Sequence, residues 1–147
     1  MLRGIPDIIG SDLLKALADT GHGDIIVIAD HFYPPITKTP NGISIQAKGT
    51  TTAQMVDAIL KLVPLDVEYC EHPIAHMIPD PDSAVKMDHS KVWEDTIAAV
   101  VRNGYDAKCV GRCERTKFYE LAAKAYVTVC TSETIPFGCV ILQKGVM

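Results

Sequence analysis

Gly21-His22-Gly23-Asp24, running straight into Ile25-Ile26-Val27-Ile28-Ala29-Asp30, is the stretch on which the architecture turns. Residues 25–29 are apolar without alternation. Both faces of such a strand must be covered, as in the middle of a parallel sheet. The segment before it, 11–20, repeats Leu13, Leu14, Leu17 and Ala18 at helical spacing, with Ser11 as N-cap and Asp12 in the first turn. Gly21 reads as the stop of that helix. A helix feeding a buried strand through a glycine turn is a building unit of layered α/β proteins. The turn also carries a histidine. An imidazole, which ordinarily titrates near pH ~6.5, can move protons at neutral pH when a backbone turn presents it. A plain helix stop followed by a polar loop histidine is the competing reading, and the turn alone does not separate the two.

Outward from this unit the same alternation continues. Residues 31–50 are rich in Pro, Thr, Gly and Asn and predict a long loop with a short strand at Ile43–Gln46. Thr52 opens a second helix with Met55, Val56, Ile59, Leu60 and Val63 inward, and Pro64 ends it. Residues 65–69 predict a strand, and 79–83 a turn. Ser90 is the expected N-cap of a third helix carrying Trp93, Ile97, Val100 and Val101, with Gly104 as its stop. A fourth helix is expected over 116–125, and strands over 126–131 and 138–143. The expected fold is α/β: a single three-layer domain over residues 1–147, with a largely parallel sheet flanked by helices.

Composition narrows the function. The chain has 147 residues, of which 48% are hydrophobic, so it can bury a sizeable core. A net charge of −4 and the lack of any Lys/Arg run argue against a nucleic-acid partner. No 18-residue apolar stretch suggests a membrane span, and the N-terminus lacks the pattern of a signal peptide. The cytoplasm is the expected compartment. Five cysteines cannot all pair within one chain. Cys109 and Cys113 have three residues between them, not the two of a zinc knuckle or redox pair, and free thiols of a reducing compartment are expected. Neither a GxGxxG nor a GxxxxGK[ST] pattern occurs, which weakens nucleotide-dependent chemistry.

The candidates for chemistry are His22, Asp30, Asp66, Arg115, Tyr119 and Glu133. His22 and Asp30 flank one strand and are expected roughly 20 Å or more apart if it is straight. Either the chain folds back or a second subunit completes the site. Arg115 can clamp a polar ligand through its planar fork, or simply be a solvated surface residue. Tyr119 shares a helical face with Arg115, or packs half-buried. Asp66 follows Pro64-Leu65 and can equally cap a turn. His31, His72, His76 and His89 lack metal-ligand spacing and read as ordinary histidines.

Taken in order, several segments carry a resemblance: residues 2–6 with Leu13-Leu14, Gly21-His22-Gly23-Asp24, Ile28-Ala29-Asp30, and Leu60-Lys61-Leu62-Val63-Pro64-Leu65-Asp66. Glu114-Arg115 with Phe118-Tyr119-Glu120 and the tail Leu142-Gln143-Lys144-Gly145-Val146 complete it. Together they resemble the L-fucose mutarotase and D-ribose pyranase family, closest to its fucose branch, over nearly the whole chain. The resemblance implies exchange of the α and β anomers of a free aldose, with no cofactor and no metal. It implies His22, Tyr119 and Asp66 as catalytic groups. It implies Asp30, Arg115, Glu133, Phe137, Gly138 and Cys139 as sugar contacts. It also implies a homo-oligomer, a pentameric ring or a decamer, with sites between subunits and a monosaccharide as the only other partner. Where the family pattern reads Thr-Gly-Glu and Tyr-Gly-Asn, this chain has Thr131-Ser132-Glu133 and Phe137-Gly138-Cys139. A phenol hydroxyl and a side-chain amide are thereby replaced by groups that cannot make the same hydrogen bonds. A ribose pyranase and a non-catalytic monosaccharide-binding protein are the alternatives.

Overall fold

The computed structural model describes residues 2–147. In chain order it runs α1 (Ser11–Asp19), β1 (Ile25–Ala29), α2 (Pro35–Lys38), β2 (Ile43–Gln46), α3 (Thr52–Leu60) and β3 (Ile74–Ile78). It continues with α4 (Lys91–Arg102), a 3-10 turn at Ala107–Cys109, β4 (Val110–Glu114), α5 (Arg115–Ala122), β5 (Val127–Cys130) and β6 (Val140–Gln143). The strands form one sheet in the order β2-β5-β1-β6-β3-β4. β1 pairs parallel with β5, β2 with β5 and β3 with β4. β6 enters antiparallel between β1 and β3, with Leu142 facing Ile26 on one side and Ile74 on the other. The expected largely parallel three-layer sheet is what forms.

Alternation along β1 divides the core. Ile26 and Ile28 face Leu13 and Leu17 of α1, Met55, Val56 and Ile59 of α3, and Ala99 and Val100 of α4. Val27 and Ala29 face Phe118 and Ala122 of α5 on the opposite side. Phe118 is fully buried. Truncating such a ring to alanine typically costs about 3–5 kcal/mol, because the sheet cannot collapse into the void.

Several local expectations are corrected. Gly21 is not the C-cap of α1. The helix ends at Asp19 and Thr20 turns extended; the Thr20 hydroxyl donates to the Leu17 carbonyl at 2.7 Å. The Lys144 ammonium donates to the carbonyls of Leu17 at 3.3 Å and Thr20 at 2.5 Å. A cation at the carbonyl end of a helix satisfies the acceptors that a glycine cap would have left to backbone. Ser11 is the first helical residue, Gly10 holding the cap position, and Ser90 caps α4 by its backbone alone. α3 stops at Leu60, ahead of Pro64, and α5 spans Arg115–Ala122 rather than 116–125. Residues 65–69 form no strand. Leu65 makes a lone bridge to Lys144, because both edges of β6 are already taken by β1 and β3. β3 and β4 were not anticipated: a buried His76 breaks the apolar run of β3, and β4 alternates Gly111 and Cys113 inward with Arg112 and Glu114 outward. Within the loop of residues 31–50, Pro35 starts the short helix α2.

Among the described residues no helix is long and apolar enough to cross a membrane. The five cysteines are free, and Cys113, Cys130 and Cys139 are buried.

Candidate functional site

The candidate residues gather at the two ends of β1. At the N-terminal end, residues 21–24 form a tight turn. The Asp24 backbone N–H donates to the Gly21 carbonyl at 3.2 Å, and the Gly21 N–H donates to Asp24 Oδ2 at 2.7 Å. Gly23 takes φ +83°, which the third position of a type II turn requires and a side chain resists. Two further backbone bonds, Gly23 to the Lys144 carbonyl at 2.8 Å and Lys144 to the Asp24 carbonyl at 2.9 Å, tie the turn to the extension of β6. His22 stands on this turn with its side chain 42% exposed.

Behind His22 lies Asp66, 2% exposed. Asp66 Oδ2 is 3.2 Å from His22 Nε2 and accepts from Gln143 Nε2 at 2.8 Å. An ionised carboxylate only accepts, so the nitrogen facing it carries the hydrogen and Nδ1 keeps its lone pair. The second oxygen, Oδ1, is buried without a partner. Tyr69, itself exposed, packs its ring 5.0 Å from the imidazole. Neither Tyr69 nor Gln143 was singled out from sequence. A polar residue ending the apolar run of β6 was the available signal for Gln143.

The C-terminal end of β1 opens on a cleft of about 360 Å³. Asp30, Tyr119, Phe137 and Cys139 line it, together with Phe32, Tyr33, Met77 and Pro136. Asp30 is 7% exposed; its Oδ1 accepts from the Phe32 N–H at 3.0 Å and its Oδ2 from the Gly138 N–H at 3.1 Å. Its own N–H points to Cys139 Sγ at 3.3 Å. Burial pushes the Asp30 carboxyl above its ordinary range, while these donors pull it back. Burial likewise raises the Tyr119 phenol, so it stays protonated at neutral pH. The Cys139 thiol is raised well up by burial and by the Asp30 charge, which keeps it from ionising.

The loop carrying Phe137-Gly138-Cys139 is held from several sides. Trp93 Nε1 donates to the Phe137 carbonyl at 3.1 Å, Thr52 Oγ1 to the Gly138 carbonyl at 2.6 Å, and the Met77 N–H to the Cys139 carbonyl at 2.9 Å. Phe137 adopts φ +57°, the left-handed region a bulky side chain seldom occupies. Such a conformation persists where the surroundings over-determine it, and it turns the ring onto the cleft.

Arg115 and Glu133 stand beside the cleft, outside its lining. Arg115 is half-exposed; its Nη2 lies 3.3 Å from Asp80 Oδ2 and its guanidinium 5.9 Å from the Tyr119 ring centre. Asp80, which sequence reasoning passed over, accepts from the Thr116 N–H at 2.9 Å and hydroxyl at 2.8 Å, and these bonds hold its carboxyl below the usual range. Glu133 serves its own loop, accepting from the Ile135 N–H at 3.1 Å while its carbonyl takes the His31 N–H at 2.8 Å.

The two ends are not brought together within the chain. β1 alone, five residues long, separates them by about 16 Å. Among the described residues no three His, Cys, Asp or Glu side chains come together as a metal site requires. The chemistry these groups can perform is proton transfer at His22 and hydrogen-bonding capture of a small polar molecule on an aromatic wall.

Comparison with known proteins places the chain as a whole. A fucose mutarotase of Homo sapiens is 38% identical over 147 residues, covering 99% of this chain and 94% of that one. Among solved structures, FucU from Bifidobacterium longum superposes with a TM-score of 0.89 at 34% identity, covering 99% of both chains. The fucose mutarotase of Streptococcus pneumoniae, determined in complex with L-fucose, does so with a TM-score of 0.86 at 36% identity, again over 99% of both. The model of the RbsD / FucU transport protein family matches residues 3–147, and the chain belongs to that family.

Proposed function

We propose that this protein is a cofactor-independent mutarotase that exchanges the α and β anomers of free L-fucose, and that it acts in the cytoplasm. The observation that carries the reading is the half-exposed His22 imidazole backed by the buried Asp66 carboxylate, in a chain whose relatives are fucose mutarotases. Anomer exchange needs a proton taken from the anomeric hydroxyl and one given to the ring oxygen. The C1–O5 bond breaks to the open aldehyde, the C1–C2 bond rotates, and the hydroxyl re-adds to the other face. Both oxygens sit on C1, so one base can serve them in turn. With Asp66 on the Nε2 hydrogen, His22 Nδ1 is the nitrogen free to exchange the proton. A positioned acid/base of this kind is worth ~10² to 10⁴ in rate.

The cleft supplies binding. Asp30 accepts from sugar hydroxyls, the protonated Tyr119 phenol donates, and Phe137 stacks on an apolar sugar face. Gly138 presents its N–H to Asp30, Cys139 fills the wall, Arg115 reaches in from the rim, and Glu133 holds the loop. Because this cleft and His22 lie at opposite ends of β1, the working site joins His22 and Asp66 of one subunit to the cleft of the next. A closed ring of subunits, pentameric or paired into a decamer, satisfies that geometry. Exposed apolar side chains stand beside both half-sites, Phe32 and Ile36 at one end and Val67 and Tyr69 at the other, as an interface requires.

The test is exchange NMR on equilibrated L-fucose, with D-ribose as the comparison sugar and His22→Ala as the control. Faster α/β exchange of fucose, lost in the variant by ~10²-fold or more with binding retained, is the expected result. Faster pyranose/furanose exchange of ribose alone would make the protein a pyranase. Line broadening without faster exchange of either sugar would make it a binding protein.

A further inference from the structure

We infer that Gln143 is a positioning residue for the proton-transfer pair: it aims the Asp66 carboxylate at His22 and thereby fixes which imidazole nitrogen exchanges protons. The inference rests on the proposed mutarotase reading for its kinetic consequence, though not for its structural one.

Gln143 grips Asp66 twice. Its side-chain Nε2 donates to Asp66 Oδ2 at 2.8 Å, and its backbone carbonyl accepts the Asp66 N–H at 3.2 Å. Gln143 is itself held by the sheet. It closes β6, pairs with Ile25 of β1, and donates its own N–H to the Pro73 carbonyl at 2.7 Å. The next residues add to the clamp. Gly145 donates to the Pro64 carbonyl at 2.8 Å and lies so near Leu65 and Asp66 that a Cβ would sit 2.5 Å from the Leu65 carbonyl oxygen.

Asp66 needs this hold. Its Oδ1 is buried with no donor, so every favourable contact of the carboxylate runs through Oδ2. Without the amide, Oδ2 keeps only the half-exposed His22 ring as a partner, and one of the two contacts that oppose rotation about the Cβ–Cγ bond is lost. The chemistry of the donor also matters. A neutral amide orients the carboxylate without cancelling its charge, so the full negative charge remains to stabilise the imidazolium that forms when His22 takes a proton. A cation at this position would weaken that help. Because an ionised carboxylate only accepts, the Gln143 amide must present its NH₂ to Asp66, and the His22 nitrogen sharing the same oxygen must be the protonated one.

The experiment uses the full-length protein and two substitutions, Gln143→Met, which keeps the length and removes the donor, and Gln143→Glu, which keeps the shape and replaces the donor with an acceptor. The first readout is the ¹⁵N spectrum of the His22 ring in the free protein. One tautomer, protonated at Nε2, is expected in the parent and a mixture in both variants. The second is fucose exchange kinetics, where kcat is expected to fall about tenfold with KM unchanged. The third is Gln143→Met in an Asp66→Asn background, where no further loss is expected because the pathway is already broken. An unchanged His22 spectrum in both variants, or losses that multiply in the double variant, would overturn the assignment. If the parent protein accelerates no sugar, the mutarotase reading fails while the tautomer measurement still decides the role of Gln143. Should Gln143→Met not fold, Gln143→Glu carries the same spectral test.

Discussion

Gly138 is where a single missing carbon atom decides the shape of the cleft. A Cβ built there would lie 2.8 Å from both Glu133 Cγ and the Ile135 carbonyl oxygen, and 3.4 Å from Asp30 Cβ. Side chain can yield, but the Ile135 carbonyl is backbone, so Gly138→Ala must displace the loop that donates to Asp30. The expected cost is about 1–3 kcal/mol of stability, with weaker sugar binding. Thermal denaturation and a binding titration measure the two together, and an alanine variant with both unchanged would show that the loop yields freely. At this scale the sequence was informative in an uneven way. His22, Asp30 and Tyr119 stand out by residue type and spacing, the 137–139 segment only through the resemblance, and the fold gathers Asp30, Tyr119, Phe137 and Cys139 around one cleft. Asp66 had no independent mark, since an aspartate after Pro-Leu is also an ordinary turn residue. Only burial and the bond to His22 distinguish it. Tyr69 and Asp80 were illegible because their partners are far away in the chain, and Gln143 showed only as a polar end to an apolar run, with its partner Asp66 equally distant.

Elements decide how the molecule answers to acid. His76 of β3 lies under α4, stacked on Trp93 with ring centres 5.0 Å apart and planes 6° from parallel. It is 3% exposed, and neither ring nitrogen has a partner. Burial, and secondarily the neighbouring Arg112 cation, hold its pKa down to about 4. The folded protein therefore keeps His76 neutral where the unfolded chain, titrating near 6.5, already binds a proton. Stability from this group is complete above pH ~6.5, falls as pH drops toward ~4, and levels off below, a change on the order of 3 kcal/mol. His76→Phe keeps the stacking without the titration and is expected to flatten that part of the denaturation profile between pH 4 and 6.5. An equal slope in parent and variant would refute the assignment. The same strand marks a limit of sequence reading. A histidine in the middle of β3 broke its apolar run, so its strand character came from pairing with β4 and β6, which no local pattern reveals. β1 was legible from its unbroken apolar run, and α1 and α4 from their helical periodicity. The strand expected over 65–69 failed because β6, beside which the segment runs, already has β1 and β3 on its two edges, a property of the whole sheet.

At the scale of the molecule, the unsolved geometry of one chain becomes the argument for several. Sequence spacing alone put His22 and Asp30 at opposite ends of one strand, and the straight five-residue β1 keeps them there. A head-to-tail contact joins unlike surfaces, so its repetition closes into a ring when the rotation permits. In such a ring a site made of His22 from one subunit and Asp30 from its neighbour can be rebuilt from two defective chains. His22→Ala and Asp30→Asn are each expected to be inactive alone. Co-expressed and purified as mixed oligomers, they are expected to regain part of the fucose exchange rate. Wherever an intact His22 meets an intact Asp30 across an interface, one complete site forms. The native mass, read by light scattering, is expected to be a multiple of the chain mass in the parent and in the mixture alike. Charging the proposed interface with Phe32→Asp and Ile36→Asp is expected to reduce both mass and activity, since two carboxylates in place of exposed apolar groups would have to shed their water on meeting the neighbouring subunit. Mixed oligomers with no recovered activity would put both residues in one subunit's site. A fully active species with the mass of one chain would do the same and would require β1 to be bridged by a motion that the pinned 137–139 loop and the clamped 21–24 turn oppose.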